Sequence, residues 1–97
     1  MADKTTLTLP DDCRVRAIRS VHDEMTKSLA AARHVEIDGT GVVLCDIALV
    51  QLVISAAQTA RRTGKQIRLV NPSAEVAATF ARAGLPLDGP HADPFNF

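Results

Sequence analysis

The side chains able to do chemistry in this chain are few and scattered. Two cysteines (Cys13 and Cys45), three histidines (His22, His34 and His91) and the acids Asp38 and Asp46 are the candidates. Nucleophilic catalysis needs a thiol or hydroxyl within reach of a base. No CxxC, HExxH or GxSxG pattern brings such groups together. The histidines stand far apart, so any Cys–His pair would have to be assembled by the fold. Structural zinc asks for four ligands at recognisable spacings, and the chain offers no such set. A GxxxxGK[ST] phosphate loop is missing too. Gly64-Lys65 is followed by Gln66, and Asp38-Gly39-Thr40-Gly41 is too short and too early. The one basic run, Arg61-Arg62-Thr63-Gly64-Lys65, falls where a helix should end, and cations there meet the negative end of the helix dipole. The expectation is a protein that is not an enzyme and uses neither metal nor cofactor.

Composition narrows the remaining classes. The 97 residues carry 11 Lys+Arg and 11 Asp+Glu, a formal net charge of zero. Phosphate contacts supply most nucleic-acid affinity, so this balance, without a basic tail, argues against nucleic acid as a partner. The aromatics are three Phe with no Trp or Tyr, which argues against a base-stacking platform. A hydrophobic fraction of 46% with 23% charged residues is that of a globular domain. Two cysteines are too few for a disulfide framework and are expected to be reduced core residues. The MADKTT start has no apolar segment after its charges. The longest apolar stretch, near Ile47–Ile54, is broken by Gln51 and falls well short of the ~20 residues a membrane span requires. The expected setting is the cytoplasm, without membrane insertion.

The elements that must position these residues follow from periodicity. Thr5–Leu9 alternates, with Leu7 and Leu9 inward, and predicts a strand. Pro10-Asp11-Asp12 is turn chemistry. Cys13-Arg14-Val15 is expected as a short second strand. Ile18, Val21, His22, Met25, Leu29 and Ala32 recur at helical spacing and predict a helix over about 16–33. His34–Asp38 predicts a strand and Asp38–Gly41 a loop. Val42–Cys45 reads as a buried turn or strand end. Asp46 is a candidate N-cap for a helix that runs to about Thr63 and stops at Gly64, with Leu49, Leu52, Val53, Ala56, Ala57 and Ala60 inward. Gln66–Val70 is a strand broken by Asn71-Pro72. Ser73 caps a third helix over 74–83, with Val76, Ala77 and Phe80 inward and Gly84 at its end. The order predicts an α/β fold with a mostly parallel mixed sheet of four to five strands and helices mainly on one face. The tight turn after the first strand leaves that strand free to run antiparallel. Residues 1–85 are expected to form the domain and 86–97 a tail with little pattern.

One ordered series of motifs resembles a known family. Ile37-Asp38-Gly39-Thr40-Gly41-Val42, Cys45-Asp46 opening a helix, Gly64, Ile67-Arg68-Leu69-Val70-Asn71-Pro72 and a helix ending Ala83-Gly84-Leu85 are similar to a STAS domain. STAS stands for sulfate transporter and anti-sigma factor antagonist. The resemblance implies a small α/β domain that binds protein partners and does no chemistry itself. In the antagonist branch a partner kinase phosphorylates the Ser or Thr after the Asp, and the phosphate breaks the complex. Here that position is Ile47, which cannot be phosphorylated. Asp46 carries over as the helix cap. Thr40, matching the hydroxyl of the family's Ser-Gly-Val loop, is the weak alternative phosphosite; its bland role is a locally bonded turn residue.

These residues frame a functional expectation. The chain is expected to be a non-catalytic signalling adaptor. Its partner would be a serine kinase or anti-sigma factor, or a component of a histidine-kinase or chemotaxis pathway. Asp46, Ile47, Val50, Gln51, Ile54 and Gln58 are the candidate partner-binding residues. Ile47 and Ile54, seven apart, would lie wet on the outer side of the helix in a lone monomer. Such a stripe would also permit a homodimer, unless a tail bearing Phe95 and Phe97 folds back over it. The alternatives are a nucleotide or small-ligand domain using Asp38–Gly41 and the helix start at Ile47, or a regulatory subunit of a lipid-transport complex.

Overall fold

Alternation in the strands decides the layer arrangement. The computed structural model describes residues 2–87 and 91–92. In chain order the elements are β1 (Ala2–Thr8), β2 (Asp12–Cys13), α1 (Ile18–Ala31), β3 (Ala32–Asp38), β4 (Leu44–Cys45), α2 (Ile47–Arg62), β5 (Gln66–Val70), α3 (Ala74–Arg82) and β6 (His91–Ala92). The main sheet has the order β1-β3-β5-β6, and β2 pairs with β4 in a separate two-stranded sheet. Leu7, Val35, Ile37, Ile67 and Leu69 are buried under the helices. Thr6, Thr8, His34, Gln66 and Arg68, half a period away, are exposed. Parallel sheets usually have both faces covered. This one is covered on one face, and its open face is kept wet by polar side chains, with a Lys4–Glu36 ion pair at 3.2 Å and a His34–Gln66 hydrogen bond at 3.1 Å.

The first strand is not antiparallel. β1 runs parallel to β3, with Leu7 opposite Ile37 and Thr8 opposite Asp38. The turn at Pro10–Asp12 does not fold the chain back onto β1. It carries β2 away to β4, and α1 provides the crossover that a parallel β1–β3 pair requires. β3 pairs parallel with β5, Ile37 opposite Leu69. The antiparallel member is β6, with Leu69 opposite Ala92 and Val70 opposite His91. The region read as patternless thus contributes a two-residue strand, too short for any alternation to show. The expected Phe95 and Phe97 contacts lie outside the described residues.

α2 and α3 start and stop where local chemistry tells them to. Ser73 Oγ accepts from the Val76 amide at 3.2 Å and caps α3. Gly64 (φ 71°) and Gly84 (φ 82°) take the left-handed conformation that ends α2 and α3. α1 begins at Ile18, later than its periodicity predicts, and Ala32 belongs to β3. The α1 apolar stripe buries Val21, Met25 and Leu29, while His22 is exposed. Lys65 donates its ammonium to the Leu29 carbonyl and ties the end of α1 to the α2–β5 loop.

Phe80, Ile37, Leu49 and Leu69 are the largest side chains with no exposure, and they anchor the core. Phe80→Ala is expected to lower the unfolding free energy by about 3–5 kcal/mol. Thr6→Ala on the open sheet face should change it by no more than about 0.5 kcal/mol. Urea titrations of the two variants check both values.

Candidate functional site

Asp46 is the residue from which the site is built. Its Oδ1 accepts from the Ala48 amide at 3.0 Å, the expected N-cap of α2. Its Oδ2 accepts from the Val15 amide, also at 3.0 Å, across 31 positions of sequence. One carboxylate therefore starts the helix and holds down the segment that follows β2. The Asp11 carbonyl accepts from the Val43 and Leu44 amides at 2.9 and 3.0 Å. Asp12 takes a two-pronged contact from the Arg14 guanidinium, Nε and NH2 each at 3.0 Å. The guanidinium holds the Asp12 carboxyl below its usual range. Segments 11–15 and 43–48 are thus clasped together.

Beneath the clasp lie the two thiols. Cys13 is fully buried and Cys45 nearly so, and they stand opposite each other in the β2–β4 register. Burial pushes the Cys13 thiol up to about 11. Cys45 is raised as well, by burial first, against a lowering hydrogen bond with Thr79. Among the described residues no Cys–His pair comes together: Cys13 Sγ donates to the Pro10 carbonyl at 3.4 Å, and Cys45 Sγ shares a hydrogen bond with Thr79 Oγ1 at 3.1 Å. Among the described residues, no group of three or more His, Cys, Asp or Glu converges as a metal site would require.

The clasp segments expose aliphatic side chains alongside the charged Asp11 and Arg16. Val15 (69% exposed), Val43 (61%), Leu44 (43%) and Ile47 (53%) are the exposed large hydrophobics among the described residues. All four belong to the two segments that Asp46 joins. An open groove of about 710 Å³ runs from Val15 between α1 and α2, with Ile18 and Leu52 on its floor beside the polar Arg19, His22, Asp23 and Gln51.

The expected α2 stripe is therefore redrawn. Ile47, Gln51 and Gln58 are exposed. Val50 is only 2% exposed and belongs to the core. Ile54 is half-buried and packs against the core cluster. The apolar arc of α2 is wider than the wheel suggested, because α3 packs against it in addition to β5. Val15, Val43 and Leu44 replace the two lost positions. The sequence hides Val43 and Leu44 inside an apolar run whose two ends, Val42 and Cys45, are the buried ones, and Val15 at the end of a strand too short to show which face it takes.

Thr40 has its bland role in this structure. Asp38 Oδ1 accepts from the Thr40 amide at 2.9 Å and from its hydroxyl at 2.6 Å, a closed turn. Gly39 donates to the Val70 carbonyl and accepts from the Ser73 amide, and a Cβ there would sit 3.4 Å from Pro72 Cα. The Val42 amide is given to Gly39. With the amides of Gly39, Thr40 and Val42 committed internally, the loop makes a poor phosphate cradle.

Two measurements follow. Asp46→Ala removes both hydrogen bonds of that carboxylate and should cost about 2 kcal/mol of stability, read by denaturant titration. The Thr40 hydroxyl, then its amide, holds the Asp38 carboxyl below 3.8. This stabilisation is present above 3.8 and lost as pH falls through the lower folded value. Thr40→Val keeps the amide bond only, so the Asp38 titration should move up towards 3.8 in a carboxyl-detected NMR titration.

With this geometry in place, comparison with known proteins becomes informative. The family model described as Mlab, STAS domain, matches residues 2–86. In three dimensions the chain is similar to the anti-sigma factor antagonist SpoIIAA in its unphosphorylated form. The TM-score is 0.72 at 17% identity, covering 88% of this chain and 76% of that one. A comparison with curated protein sequences found no match. The α/β architecture is thus that of SpoIIAA, and the chain belongs to the STAS domain family.

Proposed function

We propose that this domain is a non-catalytic regulatory adaptor that binds a protein partner through the apolar surface at the head of α2. The observation that carries the reading is that the exposed Val15, Val43, Leu44 and Ile47 all lie in the two segments that the Asp46 carboxylate joins. Exposed apolar side chains are ordinary singly, but several in two adjoining segments mark an interaction surface. STAS membership and the SpoIIAA-like fold support a regulatory role. The partner is a kinase, an anti-sigma factor or a component of a histidine-kinase or chemotaxis pathway, met in the cytoplasm. No helix among the described residues is long and apolar enough to cross a membrane.

Ile47 defines how this adaptor would be regulated. It is the first residue of α2, directly after the cap. Where the family resemblance places a phosphorylatable hydroxyl, this chain presents an exposed aliphatic side chain. Phosphorylation at that position is therefore absent from the mechanism, and binding is controlled elsewhere. A subunit role in a lipid-transport complex asks the same of this surface and differs only in the partner.

Ile47→Asp separates binding from folding. The residue is exposed, and an acid in the first helical turn suits the dipole, so the melting temperature should hold or rise slightly. Partner affinity, measured by calorimetry after the partner is identified by crosslinking in the native cell, should fall at least about thirty-fold, as for an interface hot spot. Unchanged affinity would sink the reading.

A further inference from the structure

We propose that Cys13 and Cys45 are a peroxide-responsive pair that closes into a reversible intramolecular disulfide, joining β2 to β4 covalently. The pairing register sets the two residues directly opposite each other. β2 and β4 pair in parallel, and neighbouring strands lie roughly 4.7–4.9 Å apart, inside the roughly 4.4–6.8 Å between Cα atoms that a disulfide spans. In a parallel ladder opposed side chains leave the same face, and both of these point inward, Cys13 with no exposure and Cys45 with 9%. Neither sulfur is held by a strong partner: the contacts are the Pro10 carbonyl for Cys13, and Thr79 Oγ1 and the Glu75 carbonyl for Cys45. The chain has no third cysteine to compete.

The reaction starts at the more accessible sulfur. The Cys45 thiolate attacks one oxygen of hydrogen peroxide. The O–O bond breaks, a sulfenic acid forms, and the departing hydroxide takes a proton and leaves as water. The Cys13 sulfur then attacks the Cys45 sulfur, loses its proton and expels a second water. Two thiols give up two electrons and two protons, and one peroxide becomes two waters. Burial disfavours both thiolates, so the pair stays reduced at rest. It reacts when the two-residue strands open locally, since so short a ladder is among the less stable parts of a fold.

The bond would close a loop that contains all of α1 and β3, and it would fix the floor under Val15, Leu44 and Ile47. The inference does not depend on what binds there.

The test treats the purified chain with hydrogen peroxide at mildly alkaline pH, blocks free thiols with N-ethylmaleimide and weighs the intact protein. The expected product is a monomer that has lost two hydrogens and takes up no maleimide. It should return to the starting mass with dithiothreitol and melt roughly ten degrees or more above the reduced form. Peptide mapping should find Cys13 joined to Cys45, a readout on the native chain that needs no variant. Cys13→Ser and Cys45→Ser should each abolish the mass loss. Oxygen addition without hydrogen loss, a disulfide between two chains, or no change where a denatured control is oxidised would each overturn the proposal.

Discussion

The double acceptance by Asp46 is the constraint on which the rest of this end of the molecule depends. A capping carboxylate needs one oxygen for its helix. Here the second oxygen is spent on the Val15 amide, and that is possible only if the segment after β2 lies beside the first turn of α2. The β2–β4 pairing satisfies this requirement, and the Arg14–Asp12 fork and the Asp11 carbonyl stiffen it. The backbone and carboxylate groups of the clasp are largely occupied with one another, and the aliphatic side chains of Val15, Val43, Leu44 and Ile47 face solvent beside the charged Asp11 and Arg16. The apolar surface is a by-product of satisfying the backbone beneath it.

On the proposed reading, this arrangement favours recognition by fit rather than by long-range attraction. The chain has no net charge to create a steering field. Association through a small apolar cluster then depends on complementary shape and on water released at contact. A hydroxyl after the cap would let a phosphate occupy the positive end of α2. An isoleucine there makes the surface permanently apolar and moves control away from that atom.

The fold was largely legible in the sequence, because its signals were local and repeated. Alternation placed β1, β3 and β5, and Asp46, Ser73, Gly64 and Gly84 marked helix ends by their own conformational chemistry. The failures share a different cause. The direction of β1, the strand β6 and the burial of Val50 and Ile54 are set by what packs against them from distant parts of the chain. No window of residues contains that information. The candidate site suffered most: Ile47 was found through its departure from a family pattern, whereas Val15, Val43 and Leu44 lie in segments too short to show a period.

The parallel sheet also governs how the chain can reach its native state. No neighbouring strands in β1-β3-β5 are joined by a tight turn, so none can zip up as a hairpin. Lys4 must find His34, and His34 must find Gln66, with a helix lying between each pair. The ends of each crossover have to meet before the ladder returns any stabilisation, so the barrier is largely one of chain entropy. α1 and α2, which form from local contacts, shorten the effective search, and their apolar faces act as the template on which the strands assemble.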